Sequence, residues 1–348
     1  MTTLEWVPDW LRRLMEVPGV TDVLINSPSE LWIDRGLGLE RAGDVVPGVL
    51  PQWEASDVRA LAVRFASLGG RRLDDAAPAV DARLPDGTRL HAVLPPVADG
   101  CAVVSLRMVR SSSLAWEDLV VSGMLHRDLA PLVRGLVRSK KSLIVSGATG
   151  SGKTTLLASC LAQVDAAERI VLIEEAGEIV ADHPHVVRLV ERAANVDGAG
   201  EVALARLVRE ALRMRPDRIV LGECRGAEIR DVLMALNTGH RGSLTTLHAN
   251  AAEDVPARLV GLGALADLSE RAVALHAAAA FSGVVHLVQR DGRRRVAQVA
   301  LLESSEGRLR TVQAAEVSAD GDLTPGIAWP DLIEAAGLLA PPALERAA

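Results

Sequence analysis

Gly147-Ala148-Thr149-Gly150-Ser151-Gly152-Lys153-Thr154 fits the spacing GxxxxGK[ST]. It follows the apolar run Leu143-Ile144-Val145 and opens a segment with Leu156, Leu157, Cys160 and Leu161 at helical spacing, the strand, loop and helix context that this phosphate-binding pattern requires. Glycines let consecutive backbone N–H groups face one concavity, and the helix N-terminus adds partial positive charge. Lys153 is expected to reach the outer phosphates and Thr154, followed by Thr155, to ligate Mg²⁺, so the loop reads as a nucleoside triphosphate site. Lys140, Lys141 and Lys153 are the only lysines of the chain, and a compact ammonium suits a phosphate cradle where a planar guanidinium does not.

Other residues gather round that reading. Arg218-Ile219-Val220-Leu221-Gly222-Glu223 is an apolar strand ending in a carboxylate, the place of a Mg²⁺ contact or a base in a P-loop fold. Ile170-Val171-Leu172-Ile173 leads into Glu174, Glu175 and Glu178, where strand ends meet a nucleotide in such sheets; Glu178 is the first choice for the base. His240 precedes and His248 follows the run Ser243 to Leu247. The absence of Cys or carboxylate at ligand spacing argues against zinc, and His248 is better placed as a γ-phosphate sensor. Arg213 and Arg215 before the Glu223 strand, and Arg83, Arg89 and Arg107 upstream, are candidates for a phosphate-contacting arginine supplied across a boundary.

The elements that must hold these groups are legible in outline. Trp6, Trp10, Leu11 and Leu14 recur at helical spacing, Val23 to Ile25 and Leu31 to Ile33 flank the turn Asn26 to Ser29, and Val58 to Phe65 is helical. Asp81 to Leu84 and Thr88 to Leu94 read as a hairpin around Pro85-Asp86-Gly87, and Ala102 to Met108 adds a strand. Residues 1–109 are thus expected to form a small α+β domain, 110–118 a linker around Ser111 to Ser113, and 119–316 a P-loop domain. In that domain helix Leu129 to Val137 leads to strands Ser142 to Ser146, Ile170 to Ile173, Ile219 to Leu221 and Ser243 to Leu247, alternating with helices, which predicts a mainly parallel sheet. Val284 to Val288 and Arg295 to Leu302, joined at Asp291-Gly292, are expected as an antiparallel hairpin on the sheet edge, and 317–348 as a loosely packed extension with one helix at Pro330 to Leu338.

Composition narrows the function classes. The 348 residues are 49% hydrophobic and 24% charged, with a net charge of -7, which describes a folded chain whose surface as a whole does not draw nucleic acid. Aromatic residues are 2% and there is no Tyr, so base-stacking platforms are not expected. Three spaced cysteines, Cys101, Cys160 and Cys224, make no disulfide framework and point to a reducing compartment. Glu5, Asp9, Arg12, Arg13 and Glu16 break up the first twenty residues, which argues against a signal peptide. Polar residues interrupt the charge-free run between Arg271 and Arg290, so it reads as a buried helix and strand instead of a membrane span.

In chain order, GATGSGKTT, IEEAGE, RMRPDRIVLGECRG and NTGHRGSLTTLHAN resemble the Walker A, Asp box, atypical Walker B and His box of the type II/type IV secretion ATPase superfamily, most closely its tight-adherence (Tad) pilus branch. Val80 to Gly87, Leu94-Pro95-Pro96 and Ser105-Leu106-Arg107 are similar to the N-terminal domain of that family. The resemblance covers about residues 18–303 and implies an α/β chain with a RecA-like C-terminal domain, ATP and Mg²⁺ as ligands, and Mg-dependent hydrolysis to ADP and phosphate. It further implies a cytoplasmic homohexamer, peripheral to the cell membrane through an inner-membrane platform protein, powering pilus assembly or protein secretion.

Residue by residue, it carries the Walker A roles to Lys153 and Thr154, the Walker B acid to Glu223, the last Asp-box acid to Glu178 and the His-box role to His248. It assigns site-completing arginines to Arg83, Arg89 and Arg107. Glu175 departs from the aspartate usual there, and the extra methylene moves the carboxylate by about 1.5 Å. A small-molecule P-loop kinase and a conjugation-type DNA-transfer ATPase are the alternatives.

Overall fold

The computed structural model describes residues 7–36, 38–108, 114–192, 194, 199–290 and 292–338. Trp6, the Ser111 to Ser113 stretch and Asp291 lie outside the described residues. Two compact units result, the first from residues 7–108 with Ala194 and Ala199, the second from 114–192 and 200–338.

The first unit contains α1 (Asp9–Met15), β1 (Asp22–Ser27), β2 (Glu30–Asp34), β3 (Leu39–Arg41), α2 (Ala42–Val45), α3 (Ala55–Leu68), β4 (Ala79–Arg83), β5 (Arg89–Val93) and β6 (Val103–Arg107). The six strands form an antiparallel sheet in the order β3-β2-β1-β6-β5-β4. Val23, Ile25, Leu31, Ile33, Leu90, Ala92, Val104 and Leu106 alternate inward and are buried with Val58, Ala62 and Phe65 of α3, the one-sided burial typical of an antiparallel sheet. At the expected hairpin turn, Gly87 N–H donates to the Leu84 carbonyl at 2.9 Å and Asp86 accepts from Thr88 N–H at 3.0 Å, the local chemistry that favours Asp and Gly in turns. β3 and α2 have no counterpart in the sequence reading, because elements of three and four residues carry too little periodicity to read.

The second unit runs α4 (Trp116–Val121), α5 (Ala130–Arg138), β7 (Leu143–Gly147), α6 (Lys153–Leu161), β8 (Ile170–Glu174), β9 (Val186–Val190), α7 (Leu204–Ala211), β10 (Arg218–Leu221), α8 (Ile229–Asn237) and β11 (Leu244–Leu247). A 3-10 turn (Ala252–Asp254), α9 (Val255–Leu265), α10 (Glu270–Ala280), β12 (Gly283–Arg290), β13 (Arg293–Ser305), β14 (Arg308–Val317), β15 (Leu323–Pro325) and α11 (Trp329–Ala335) follow. The sheet order is β15-β14-β13-β12-β7-β11-β10-β8-β9, parallel from β12 to β9 and antiparallel from β12 to β15. This is the expected α/β architecture. Alternate residues of the parallel strands feed opposite cores. Leu143, Val145, Ile170, Leu172 and Val220 pack with α5, α6 and α11, whereas Ile144, Val171, Ile173, Ile219 and Leu221 pack with α7, α8, α9 and α10. Strands covered on both faces read as continuous apolar runs, which is why these are legible from sequence.

Three expectations need correction. α4 begins at Trp116, inside the stretch expected as linker. The β12–β13 hairpin does not end the sheet, because β14 and β15 extend it. The segment after 316 is not loosely packed over its described part, since Trp329 and Leu332 of α11 are buried against the same core as α5. A Cβ on Gly135 of α5 would stand 2.5 Å from the Ala336 carbonyl oxygen, so that glycine permits a close approach that no other residue allows. The three cysteines are free and buried, and burial pushes the Cys160 thiol up to about 12.

Candidate active site

In the sheet, β7, β11, β10 and β8 are consecutive and parallel. Their C-terminal ends therefore open on one side, where ligands bind in such sheets. β7 runs into the P-loop, β11 ends at Leu247 before His248, β10 ends at Leu221 before Glu223, and β8 ends at Glu174 before Glu175 and Glu178. Four segments far apart in sequence thus deliver their polar groups to one sheet edge.

The P-loop has the backbone that its glycines permit. Gly147, Gly150 and Gly152 have φ of 153°, 77° and 99°, a region that side chains rarely tolerate. A Cβ at Gly147 would lie 2.5 Å from the Leu287 carbonyl oxygen, and one at Gly152 2.7 Å from Met124 Cε. Gly152 caps α6, so the first N–H groups of that helix face the loop. Lys153 is buried, with Nζ donating to the carbonyls of Gly147 at 3.0 Å and Ala148 at 2.9 Å. Burial pulls its pKa down, opposed by Glu223.

His248 sits between the lysine and the β10 acid. Its Nδ1 is 3.4 Å from Lys153 Nζ and its Nε2 is 2.8 Å from Glu223 Oε1. A neutral ring with the proton on Nε2 satisfies both contacts, since Nδ1 then accepts and Nε2 donates. Desolvation lowers its pKa against the raising effect of Glu223, which favours that neutral form. Thr154 is exposed at the start of α6 and Thr155 half-buried. The donor set fits a triphosphate with Mg²⁺: N–H groups and an ammonium for phosphate oxygens, and a hydroxyl and a carboxylate for the cation, which commonly takes one or two carboxylates plus phosphates. A cleft of about 730 Å³ lined by Ala148, Thr149, His248, Asn250, Asp254 and Arg258 adjoins the loop.

One residue of this cluster, Arg225, has no counterpart in the sequence reading, and Glu174, expected with the strand-end acids, is instead turned inward. Arg225 donates to Glu223 Oε2 at 2.8 Å and to Glu175 Oε2 at 2.7 Å, so it ties the β10 acid to the β8 acids; its bond to Glu223 raises its own pKa further. Its position two residues after Glu223 is the available signal. Glu174 is buried, 3.1 Å from Arg188 Nε, and accepts the Ile179 N–H at 2.8 Å. Desolvation raises its pKa, and these contacts make it a brace for the 174–179 turn that holds Glu178 and Glu175. Glu178 is half-buried in that turn, and its backbone N–H bonds to Glu174.

The arginine candidates separate. Arg213 and Arg215 are exposed and precede β10, so they lie at the opposite end of the strand from Glu223 and do not join the cluster of their own chain. In the first unit, Arg83, Arg89 and Arg107 are register partners across β4, β5 and β6, and Arg107 Nε bonds Asp22 at 2.9 Å. His240 turns away from the cluster, its Nδ1 3.1 Å from the Ala235 carbonyl.

The sheet and its P-loop edge define a P-loop nucleotide-binding α/β protein. The model of the family described as Type II/IV secretion system protein matches residues 9–319, and the chain belongs to this superfamily of secretion ATPases. It is similar to a Mycobacterium tuberculosis (strain H37Rv) protein named as a putative conjugal transfer protein, at 47% identity over 87% of this chain and 86% of the relative. It is also similar to the conjugal transfer protein TrbB of Rhizobium radiobacter, at 30% identity over 87% and 93%. The crystal structure of the pilus retraction motor PilT with bound ADP shares the fold, with a TM-score of 0.58 at 21% identity over 97% of this chain and 87% of that one. Among the described residues no helix is long and apolar enough to cross a membrane.

Proposed function

We propose that the chain is an Mg-dependent, ATP-hydrolysing hexameric motor, cytoplasmic and docked through an inner-membrane platform protein, that powers pilus assembly or protein secretion. The observation that carries this reading is the chain of contacts from Lys153 through His248 and Glu223 to Arg225, with successive distances of 3.4, 2.8 and 2.7 Å. The likeness of the four motifs to those of the tight-adherence branch is what supports pilus assembly within this reading.

In this mechanism Lys153 gives up the Gly147 and Ala148 carbonyls for phosphate oxygens. Thr154 and Glu223 would hold Mg²⁺, which when bound would neutralise charge on the outer phosphates. Glu178 takes a proton from the attacking water, and His248 couples the lysine to Glu223 so that loss of the γ-phosphate is felt at the β11 end. Arg83, Arg89 and Arg107 are phosphate contacts, and Arg213 and Arg215 are arginines offered to a neighbouring copy. Glu178→Gln is expected to lower kcat by about 10²- to 10⁴-fold with nucleotide affinity unchanged. Glu223→Gln is expected to raise the Mg²⁺ concentration needed for half-maximal rate. Steady-state kinetics against Mg²⁺ for both variants checks the assignment, and a normal kcat in Glu178→Gln would transfer the base role to Glu223.

Size-exclusion chromatography with light scattering, with and without Mg-ATP, and phosphate release on the same fractions, tests the whole reading. A hexamer that hydrolyses ATP is expected. A monomer in every nucleotide condition that passes phosphate to a metabolite would replace it with the kinase alternative. The two relatives named for conjugal transfer favour a second reading, a DNA-transfer motor, which predicts hydrolysis stimulated by added DNA.

A further inference from the structure

Directly beneath the P-loop lies a polar row, buried at two of its three members, that the hydrolytic steps above leave unused. Ser146 on β7, His286 on β12 and Gln298 on β13 are register partners across three neighbouring strands. Ser146 and His286 are buried, and Ser146 Oγ is 2.9 Å from His286 Nδ1. Burial lowers the His286 pKa, so the ring is neutral at neutral pH, with one acceptor and one donor nitrogen. With Nδ1 facing Ser146, the other side of the ring lies beside the Asn250 backbone, which opposes the lowering. Gln298 continues the row: its Oε1 accepts the Ala252 N–H at 3.1 Å, and its Nε2 donates to Glu253 Oε1 at 3.2 Å.

The two ends of this row are the two halves of the site. Ser146 immediately precedes Gly147 and Ala148, whose carbonyls hold Lys153. Asn250 lies two residues after His248, and the segment from there to Glu253 is the one that Gln298 holds. A buried polar group is costly unless bonded, and here the bonds run to both segments: His286 to Ser146 on the P-loop strand, and its register partner Gln298 to Ala252 and Glu253.

We propose that His286 is a positioning residue which, with Ser146 and Gln298, clamps the Asn250–Glu253 segment to the P-loop strand and thereby sets His248 between Lys153 and Glu223. The proposal rests on the ATPase reading. His286 touches neither nucleotide nor reacting atoms in this scheme; it acts through His248. Its loss shifts a side chain whose contacts are 2.8 and 3.4 Å, and misplacement by about 1 Å costs on the order of 100-fold in rate.

The test is a kinetic cycle on the full chain with His286→Leu, His286→Asn, Gln298→Leu and His248→Ala, measuring kcat, KM, binding of a fluorescent ADP analogue and thermal unfolding. His286→Leu is expected to lower kcat by about 10- to 100-fold with ADP affinity unchanged. His286→Asn, which keeps an acceptor for Ser146, is expected to recover part of the loss. In the His248→Ala background the effect of His286→Leu should disappear, a non-additivity that a purely structural role does not produce. If His286→Leu does not fold, Gln298→Leu with and without His248→Ala reads the same clamp from its other end. Full kcat in the folded variants, or losses that add to that of His248→Ala, would overturn the proposal. Failure of the ATPase reading is seen separately, as wild-type hydrolysis indifferent to Lys153→Ala.

Discussion

Lys153→Ala is expected to reduce phosphate release by about 10²- to 10³-fold, the loss typical when one preorganised charge is removed from a transition state, and to weaken binding of a fluorescent ADP analogue. The lysine is buried with both of its carbonyl partners inside its own loop, so its removal relieves a desolvation cost while it empties the cradle of its ammonium. Circular dichroism and the unfolding midpoint are therefore expected to stay close to wild type while turnover is lost. Lys153→Arg should fail in the same way, since a planar guanidinium does not fit where Nζ reaches two adjacent carbonyls. Wild-type turnover in Lys153→Ala would remove the P-loop from the chemistry altogether.

The second large effect is on stability. Arg218→Ala is expected to destabilise the second unit by about 3–5 kcal/mol, the range for removing one partner of a buried ion pair. The Arg218 side chain is fully buried at the start of β10. Its Nε is 2.7 Å from Glu168, and its Nη1 donates to the carbonyls of Val137 at 2.8 Å and Gly242 at 3.1 Å. One guanidinium thus joins the end of α5 and the loops before β8 and β11, at the sheet edge opposite the P-loop. Without it, Glu168 keeps the exposed Lys140 at 3.4 Å, the Gly242 carbonyl loses its guanidinium donor and the Val137 carbonyl is left with the Lys140 N–H at 3.2 Å. Denaturant unfolding followed by a probe in the second unit checks the size. Adding Glu168→Gln to Arg218→Ala should recover part of the loss, because the stranded charge goes with it; a change within about 1 kcal/mol, close to the ordinary surface range, would show that the pair contributes nothing of consequence.

How much of this is legible in the sequence follows from the range of the interactions involved. The P-loop is eight contiguous residues whose backbone and helix cap are local matters, so its place between β7 and α6 can be read directly. The same holds for β8, β10 and β11, whose apolar runs report burial on both faces, and for the Asp86-Gly87 turn. Glu223, Glu178 and His248 are legible as strand-end residues because each follows such a run within a few positions. β3, β14, β15 and the packing of α11 are not, since short or half-exposed strands have weak patterns and a helix against a sheet leaves no mark of its partner in its own periodicity.

Residue types in local order were enough for the class of chemistry: a phosphate cradle, strand-end acids and a histidine. Sheet order was not in that record, because hydrogen-bond pairing between β7, β11 and β12 joins segments about a hundred residues apart in the chain, and nothing local encodes a partner at that distance. Arg225 bridging two acids, Glu174 turned inward as a brace, Arg218 stapling the far edge and His286 beneath the P-loop all owe their roles to such pairings. Each is an ordinary residue until a distant strand brings its partner to within hydrogen-bonding distance.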